Sequence, residues 1–486
     1  MLIRALLYSL AIVLAVVGLA RLRSRSARQI LLLVLSYALY LSWAWWFALV
    51  LLGSTLVNFL FGRSLRRTRS ATTLWIGIVV NVALLSSFKY LPELAHASPN
   101  TWLHTFSNVV LPLGLSFWTF QAMSYLFDLY GGEQLEPSLL EFALYMVFFP
   151  IAISGPICRL PEMLPQFRSE KLVSRDGIGR GICRIATGLL MMQIAQLLGK
   201  GIFPGQGING GFDSLTRWSG LDVLCLALGY GLQLFFDFAG YSHIAIGAAK
   251  VLGFTVPENF ARPFTSSSLS IFWTRWHMSL SFWIRDYVYV PIAMARADEW
   301  WERLALLISM VLFGVWHKGT ILFVLFGCYH GVLLILHRQA QQVQRKFHLK
   351  PSSKAWTLFS WALTMIVISL GWIFFRSNSL SQAGQMFGAL LSPASYSSHA
   401  LAPSLYLLVL AVATTYALAL VAIDALDRYS ERLKTAAIAS RSETIAIFIR
   451  ERWVWLAPMW VAASLLVLTI LPTQGRAANA FLYRFF

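Results

Sequence analysis

Apolar stretches recur along the whole chain and are separated by short polar breaks. Most are long enough to cross the ~30 Å hydrocarbon core of a bilayer as helices, and none shows the alternating ten-residue pattern of a membrane β-barrel. The pattern predicts an all-α polytopic membrane protein with about eleven to thirteen transmembrane helices. After a first stretch at 5–20, the predicted spans are 30–45, 46–61, 74–90, 109–127, 141–157, 182–199, 221–251, 304–316, 320–337, 357–375, 404–424 and 453–471.

The charges of the chain support this prediction. Only 12% of the 486 residues are charged, 58% are hydrophobic, and the mean hydropathy is +0.65. The net charge of +18 does not indicate a nucleic-acid partner, because the basic residues cluster in short loops beside apolar stretches. One cluster comprises Arg21, Arg23, Arg25 and Arg28, and a second comprises Arg63, Arg66, Arg67 and Arg69. The uncharged stretch between them is too long for one span, so two spans return to the same side and place both clusters in the cytoplasm.

The first apolar stretch, from Ala5 to Ala20, has the length of a cleavable signal peptide. Four arginines follow it and one precedes it, which opposes export of the chain that follows. We therefore expect a retained first helix with its N-terminus outside. By the same rule the loop 338–356 is expected in the cytoplasm; its basic residues are Arg338, Arg345, Lys346, Lys350 and Lys354.

The segment 254–300 departs from the apolar pattern. Pro257, Pro263 and Pro291 interrupt it, and charged residues occur among aromatic ones. Broken backbone at membrane depth is tolerated only where protein covers it or where it lines a wet cavity. We therefore expect a re-entrant or interfacial segment whose tryptophans and tyrosines lie at the headgroup level.

Histidines in apolar sequence are the candidates for chemistry, because ionisable groups at bilayer depth are costly and mark a substrate path or a reaction centre. His330 is the strongest of them, since the stretch 321–336 is apolar apart from this residue. A neutral imidazole can take a proton from a hydroxyl and later return one to a leaving group. The alternative is a core histidine hydrogen-bonded to a neighbouring helix, and composition alone does not choose between the two.

His317 precedes His330 by an interval that, on one straight helix, corresponds to about 20 Å of rise and about 220° of rotation. The two histidines can therefore line one small site only if the helix breaks, and Gly319 is the candidate for that break. Without a break, His317 is a histidine at the membrane interface.

His277 lies between two arginines, Arg275 and Arg285, which can hold phosphate or carboxylate groups. An amphipathic interfacial helix with snorkelling arginines explains the same charges. Asp237 and His243 point about 240° apart if they share a helix, so a direct pair is not expected.

Other catalytic and metal-binding patterns are absent from the sequence. It contains no zinc-protease motif, no nucleophile elbow and no phosphate-binding glycine loop. No pair of metal-ligating residues has a useful helical spacing, so no metal site is predicted. The cysteines are scattered and are expected to be inert thiols; they are Cys158, Cys183, Cys225 and Cys328.

Several short motifs follow one another between Leu111 and Leu390. They are Leu111-Pro-Leu-Gly-Leu-Ser-Phe-Trp-Thr-Phe-Gln, Phe149-Pro-Ile-Ala-Ile-Ser-Gly-Pro-Ile-Cys-Arg, Phe236-Asp-Phe-Ala-Gly-Tyr-Ser, Pro257-Glu-Asn-Phe, Phe272-Trp-Thr-Arg-Trp-His-Met-Ser-Leu-Ser, Arg285-Asp-Tyr and Gly371-Trp-Ile-Phe-Phe-Arg. In this order they resemble the membrane-bound O-acyltransferases, and within them the bacterial branch of alginate O-acetyltransferases and teichoic acid D-alanyl transferases. The match is specific for the family and not for a substrate.

The resemblance implies a ring of helices around a thin central region, with a tunnel through the membrane. It implies that His330 is the catalytic histidine, and it makes His277 and His317 further catalytic candidates along the tunnel. The candidate substrate- or donor-binding residues are Arg275, Arg285, Asp286, Asp237 and Lys318. Lys318 stands where glycine is usual in this branch and Ile321 where tryptophan is usual, which weakens any inference about the acceptor.

The implied activity moves an acyl group, acetyl first among them, from a cytoplasmic thioester such as acetyl-CoA to a hydroxyl of a cell-envelope polysaccharide. No bound cofactor and no nucleic-acid partner is expected. A periplasmic esterase-like partner of the SGNH type is expected to complete the transfer. The protein is expected in the bacterial inner membrane, in contact with membrane lipid.

The chain is expected to form one integral-membrane domain over 1–486, with N-terminal helices at 1–107, the family core at 108–390 and C-terminal helices at 391–486. Two other functions stay open. One is D-alanyl transfer to teichoic acid, although His317 favours acetyl transfer over D-alanyl transfer. The other is a solute or proton transporter that uses Asp237, His277 and His330, against which the lack of internal repeats counts.

Overall fold

Helices make up most of the chain in the computed structural model, which describes residues 2–97, 107, 109–170, 173–348 and 353–440. No β-strand occurs in these residues, so the all-α prediction is confirmed. The first helices are α1 (Leu2–Arg21), α2 (Arg25–Leu41), α3 (Trp45–Thr68), α4 (Ala71–Lys89), α5 (Leu91–Ala97), α6 (Leu115–Tyr130), α7 (Leu139–Val147), α8 (Leu160–Arg168), α9 (Arg175–Lys200) and α10 (Ile208–Asp213). The others are α11 (Gly220–Val251), α12 (Leu269–Trp273), α13 (Met278–Ile284), α14 (Val290–Ala293), α15 (Glu299–His317), α16 (Ile321–Lys346), α17 (Lys354–Arg376), α18 (Leu380–Leu391) and α19 (Pro403–Ser440). A π-helix covers Arg285–Tyr289, and 3-10 turns cover Pro263–Thr265 and Pro393–Ser397.

Within the described ranges, 7 helices are long and apolar enough to cross a membrane, which confirms a polytopic membrane protein. They are α3, α4, α9, α11, α16, α17 and the part of α19 up to Ala425. The spans predicted at 109–127 and 141–157 correspond to α6, with 16 residues, and α7, with 9 residues, both shorter than the ~20 residues a span needs. The predicted span 453–471 lies outside the described residues.

Glycine and proline explain the two short helices. Gly114 precedes α6 with a φ of 69°, a left-handed conformation that glycine adopts without steric cost. Beyond α7, Pro150 has no N–H and disfavours the helical conformation of the residue before it, so the helix ends at Val147. In the segment after α11 the helices are interrupted before α12 and again at 274–277, whereas α13, the π-helix and α14 adjoin and form one continuous helix over 278–293.

The described chain divides into two compact units. Of the described residues, those within 1–185, 242–259 and 277–294 form the first unit, and those within 186–241, 260–276 and 295–440 form the second. In the first unit, α3 and α4 are joined by buried amides, because the side-chain amide of each of Asn58 and Asn81 donates to the other, at 3.1 and 2.7 Å. Such reciprocal pairs satisfy polar groups that would be costly to bury alone.

Glu141 is the most heavily paired buried carboxylate of the first unit. Its side chain is 2% exposed and accepts hydrogen bonds from Arg25 and from Arg168 at 3.0 Å. It also caps α7, since it accepts from the backbone N–H of Ser138 at 2.8 Å. Burial alone would raise the pKa of Glu141, but the bonds from Arg168, Ser138 and Arg25 outweigh it and lower the pKa to about 2.

We expect Glu141→Gln to destabilise the protein by about 2 kcal/mol, because a neutral amide loses the charge-assisted bonds to both arginines. Acid has the same effect in the unmodified protein: this contribution is complete above the ordinary glutamate pKa of 4.5 and is lost as the pH falls towards about 2. Thermal unfolding in detergent measures both. Glu133→Gln, at an exposed position, is the control; equal effects of the two variants would contradict the assignment.

In the second unit, α15 and α16 form an antiparallel hairpin held by close backbone contact. A Cβ at Gly314 would lie 2.1 Å from the backbone oxygen of Phe323, and one at Gly327 would lie 2.4 Å from the backbone oxygen of Met310. Only glycine allows this approach of the two helices.

Gly314→Ala is therefore expected to separate the hairpin and to cost about 1–3 kcal/mol of stability. A fluorescence-based melting curve in detergent reads this out as a lower Tm. Gly388→Ala serves as the matched control, since a Cβ there has no atom within 4 Å. An unchanged Tm for Gly314→Ala would contradict the contact.

Candidate active site

His330 lies on α16 and is completely buried. Its position after Ile321 places it about 14 Å along the helix from that end, at membrane depth. Neither ring nitrogen has a hydrogen-bond partner among the described residues. Buried polar atoms in native proteins are nearly always bonded, so two orphaned nitrogens on one imidazole mark a place where a ligand or water is needed.

Aromatic side chains of the second unit enclose this imidazole. The ring of Trp273 meets it edge-on at 5.1 Å between centroids, and the rings of Phe326 and Tyr329 lie at 4.6 and 5.1 Å. The indole N–H of Trp273 is also buried without a partner in the described chain. Tyr329 is held in place by donating its hydroxyl to the backbone oxygen of Val367 at 2.7 Å. The enclosure is apolar, yet it contains several orphaned polar atoms.

Gly371 on α17 forms the remaining wall. A Cβ at this position would lie 2.4 Å from Nε2 and 3.0 Å from Cε1 of His330. The glycine therefore leaves the space that the imidazole occupies. In the sequence, Gly371 begins one of the motifs, and the only signal of a function is that it is a glycine within an apolar span.

His317 is the last residue of α15 and is 6% exposed. The chain breaks at 318–320, at the position of Gly319, and returns as α16. The ring of His317 lies 5.0 Å from that of Phe375, which lies 5.3 Å from Phe326 beside His330. Two aromatic rings therefore connect the two histidines, which do not touch each other.

Lys318 lines a small pocket of about 240 Å³ at the same end of α16. Arg376, at the end of α17, lines it too, and donates to Asp213 at 2.8 Å. Thr320 and Asn378 add polar groups, and Phe375 separates the pocket from the rings around His330. A polar or anionic group fits this arrangement of two cations and neutral donors.

His277 belongs to the first unit and is 1% exposed. Its φ of 43° is left-handed, a strained conformation for a residue with a side chain. Asn259 fixes the chain beside it: its backbone oxygen accepts from the N–H of Met278 at 2.9 Å, and its side-chain oxygen accepts from the hydroxyl of Ser279 at 2.6 Å. Strain held by a buried hydrogen-bond network is typical of functional positions.

Arg285 and Asp286 begin the π-helix of the first unit. Asp286 accepts hydrogen bonds from Arg285 at 2.6 Å and from Arg159 at 2.5 Å. Burial raises the pKa of Asp286, but the bonds from Arg285 and Arg159 outweigh it and hold the pKa below its ordinary value. Tyr287 donates to Asp128 at 2.6 Å. Arg285 and Asp286 were both predicted as binding residues, whereas the ion pair of Arg159 with Asp286 was not predicted.

The other two predicted residues lie in the second unit. Asp237 is on α11 and is 6% exposed. Arg275 donates to the hydroxyl of Thr265 at 2.9 Å. Within the described residues, no group of three or more histidine, cysteine, aspartate or glutamate side chains is placed to hold a metal ion. All four cysteines are free thiols.

Comparison with known proteins decides the family. Residues 132–380 match the membrane-bound O-acyltransferase family. This chain belongs to that family. It is therefore an O-acyltransferase built as a multi-pass membrane protein.

Relatives of this membrane-bound O-acyltransferase include proteins named for three envelope polymers. The probable alginate O-acetylase AlgI of Pseudomonas syringae pv. tomato is 32% identical over 394 residues, which cover 77% of this chain and 72% of the relative. The peptidoglycan O-acetyltransferase of Helicobacter pylori is 30% identical over 386 residues, 72% of this chain and 71% of the relative. The teichoic acid D-alanyltransferase of Bacillus subtilis is 30% identical over 315 residues, 62% of this chain and 77% of the relative.

Proposed function

We propose that this acyltransferase moves an acetyl group from a cytoplasmic thioester, acetyl-CoA, across the membrane toward a hydroxyl of a cell-envelope polysaccharide. The observation that carries the proposal is His330, a fully buried imidazole with two orphaned nitrogens inside a membrane helix. The names of the relatives, alginate O-acetylase and peptidoglycan O-acetyltransferase, support acetyl as the acyl group and an envelope polymer as the final acceptor.

His330 acts as general base and then as general acid in this proposal. It takes the proton of the acceptor hydroxyl, whose oxygen attacks the thioester carbonyl carbon. The new C–O bond forms, the C–S bond breaks, and the imidazolium returns its proton to the departing thiolate. The indole N–H of Trp273 supports this step, because an unpaired donor beside the imidazole can stabilise the developing oxyanion.

The two ends of the transfer use different residues. In this proposal the basic segment 338–356, which includes the C-terminal end of α16, lies in the cytoplasm, and the opposite end of α16 faces the periplasm. Lys318 and His317 lie at that opposite end, so they serve the acceptor side together with Arg376. Arg285, with Asp286 and Arg159, serves the donor side, where an arginine held by an aspartate can release it for a phosphate of the donor.

The remaining predicted site residues also have roles in this proposal. His277 is the second catalytic candidate, and Asp237 is a substrate-binding position. A periplasmic esterase-like partner receives or transfers the acetyl group, and the protein resides in the bacterial inner membrane. D-alanyl transfer is the second candidate, favoured by the similarity to teichoic acid D-alanyltransferases.

Inverted membrane vesicles test the proposal, because they expose the cytoplasmic side to added donor. We expect vesicles that contain the protein to move label from radioactive acetyl-CoA into a base-labile ester, and vesicles without it to move none. The mass of the released acyl group separates acetyl from D-alanyl. Labelled solute accumulation without ester formation would instead support a transporter.

A further inference from the structure

A large apolar groove lies in the second unit between α11, α17 and α19. Its volume is about 850 Å³, within the range of about 300–1,000 Å³ that ligand sites usually have. Leu228 of α11, Met365 of α17 and Leu420 of α19 are among the side chains that line it. It is separate from the pocket at Lys318, with which it shares no lining residue.

The length of this groove matches one leaflet of a bilayer. Along α17 it extends from Trp361 to Leu370, and along α19 from Ala413 to Asp424. At 1.5 Å per residue these intervals are about 14 and 17 Å. Half of the ~30 Å hydrocarbon core is about 15 Å. The groove therefore accommodates an acyl chain of one leaflet over its full depth.

One end of the groove is polar and carries more positive than negative charge. Thr265 and Asp424 line this end. Arg262 forms an ion pair with Asp424, and Arg275 donates to the hydroxyl of Thr265 at 2.9 Å. Arg262 and Asp424 are 42% and 52% exposed, so their ion pair is weak and can give way to an incoming anion.

The indole of Trp361 indicates the depth of this polar end in the membrane. Its N–H donates to the backbone oxygen of Phe264 at 2.8 Å, which ties the turn 263–265 to the first half of α17. Tryptophan is enriched at the headgroup level of membranes. Because α17 follows the basic segment 338–356, the polar end belongs to the leaflet on the side of this segment.

Aromatic side chains form one wall of the groove. Phe264 and Tyr416 line the groove, and each packs edge-on against Phe235, at 5.2 and 5.4 Å between ring centroids. His330 is not among the residues that line the groove, so an occupant contacts this aromatic wall and not His330. This separates the groove from the proposed reaction.

We propose that the groove binds one anionic phospholipid from the leaflet on the side of the basic segment 338–356. One of its two acyl chains lies between α17 and α19, and its phosphate binds at Arg262 and Arg275. Anionic lipid is favoured over neutral lipid by about 1 kcal/mol for each basic residue near the headgroup, or about five-fold. The nucleotide phosphates of an acyl donor have the same chemistry but lack the chain that would fill the groove.

Photo-crosslinking in nanodiscs tests this proposal with the full-length protein. The probe is phosphatidylglycerol with a diazirine in its acyl chain, diluted into unlabelled phosphatidylethanolamine. We expect labelled peptides to concentrate on the groove side of α17 and α19, with excess phosphatidylglycerol competing and excess CoA not competing. Labelling spread evenly over all lipid-facing helices, or displaced by CoA, would overturn the proposal.

Two variants with matched controls sharpen the test. Arg262→Gln is expected to reduce the groove labelling about five-fold, and Arg345→Gln, another exposed arginine, to leave it unchanged. Ala413→Trp is expected to fill the groove and remove the labelling, whereas Ala411→Trp, on the same helix but outside the groove, is not. Equal labelling of Ala413→Trp and Ala411→Trp would contradict the site. The labelling map of the unmodified protein remains decisive if a variant does not fold.

Discussion

His330→Ala is expected to lower the rate of acetyl transfer by about 10²–10⁴-fold, because it removes the group that accepts and returns the proton. The assay is transfer of labelled acetyl from acetyl-CoA in inverted vesicles, normalised to the amount of protein. The loss is expected in the rate of the chemical step rather than in the donor concentration needed for half-maximal rate, since the imidazole binds the reacting hydroxyl and not the donor nucleotide.

Two further variants separate chemistry from folding. The buried imidazole fills a space among aromatic rings, so alanine also leaves a cavity, which destabilises a core. His330→Gln keeps most of the volume and a hydrogen-bonding amide but cannot act as a base, so it should be as inactive as the alanine variant. His337→Ala makes the same substitution on the same helix at a half-buried position and should retain activity. Activity in His330→Gln comparable with that of the unmodified protein would refute the role as base.

Gly371→Ala is expected to lower the rate about 10²-fold while the protein still folds. The added methyl group would lie 2.4 Å from Nε2 of His330, so the imidazole must move. Trp273, Phe326 and Tyr329 surround that ring and leave it little space to move without losing its alignment. A displacement of about 1 Å at a reacting group can lower the rate about 10²-fold.

Gly384→Ala is the matched control for this prediction, since a Cβ at that position has no atom within 4 Å. The free energies of unfolding of the two variants, obtained from thermal melting, should differ by no more than about 1–3 kcal/mol. This is the usual cost of one extra methyl group in a filled core. Full activity of Gly371→Ala would contradict the prediction, because it would show that the reaction does not depend on the position of the His330 imidazole beside Gly371.

Sequence patterns reveal a residue such as His330 because a single polar side chain in an apolar span is visible without any knowledge of neighbouring helices. They also locate the break at Gly319, where the structure ends α15 and begins α16. The contacts of His330 cannot be predicted in this way. Gly371 and Trp273 are distant in sequence, and their proximity depends on how α12 and α17 pack against α16, which periodicity does not encode.

The predicted spans show a second kind of gap between sequence and structure. A hydropathy pattern joins the apolar residues on both sides of Gly114, and those on both sides of Pro150, into single spans. In the structure α6 begins only after Gly114, and α7 ends before Pro150. The partner of Asp286 was missed for a related reason. Arg159 stands at the end of another motif, and its ion pair with Asp286 forms only when the two distant segments meet.

Mass analysis of O-linked acyl esters in the cell-envelope polymers tests the central claim most directly. Three strains are compared: one without this protein, one with the unmodified protein, and one with His330→Ala at the same protein level in the membrane. We predict that base-labile acetyl esters on an envelope polymer occur only with the unmodified protein. Full acetylation in the His330→Ala strain, or identical ester content in all three strains, would contradict the account.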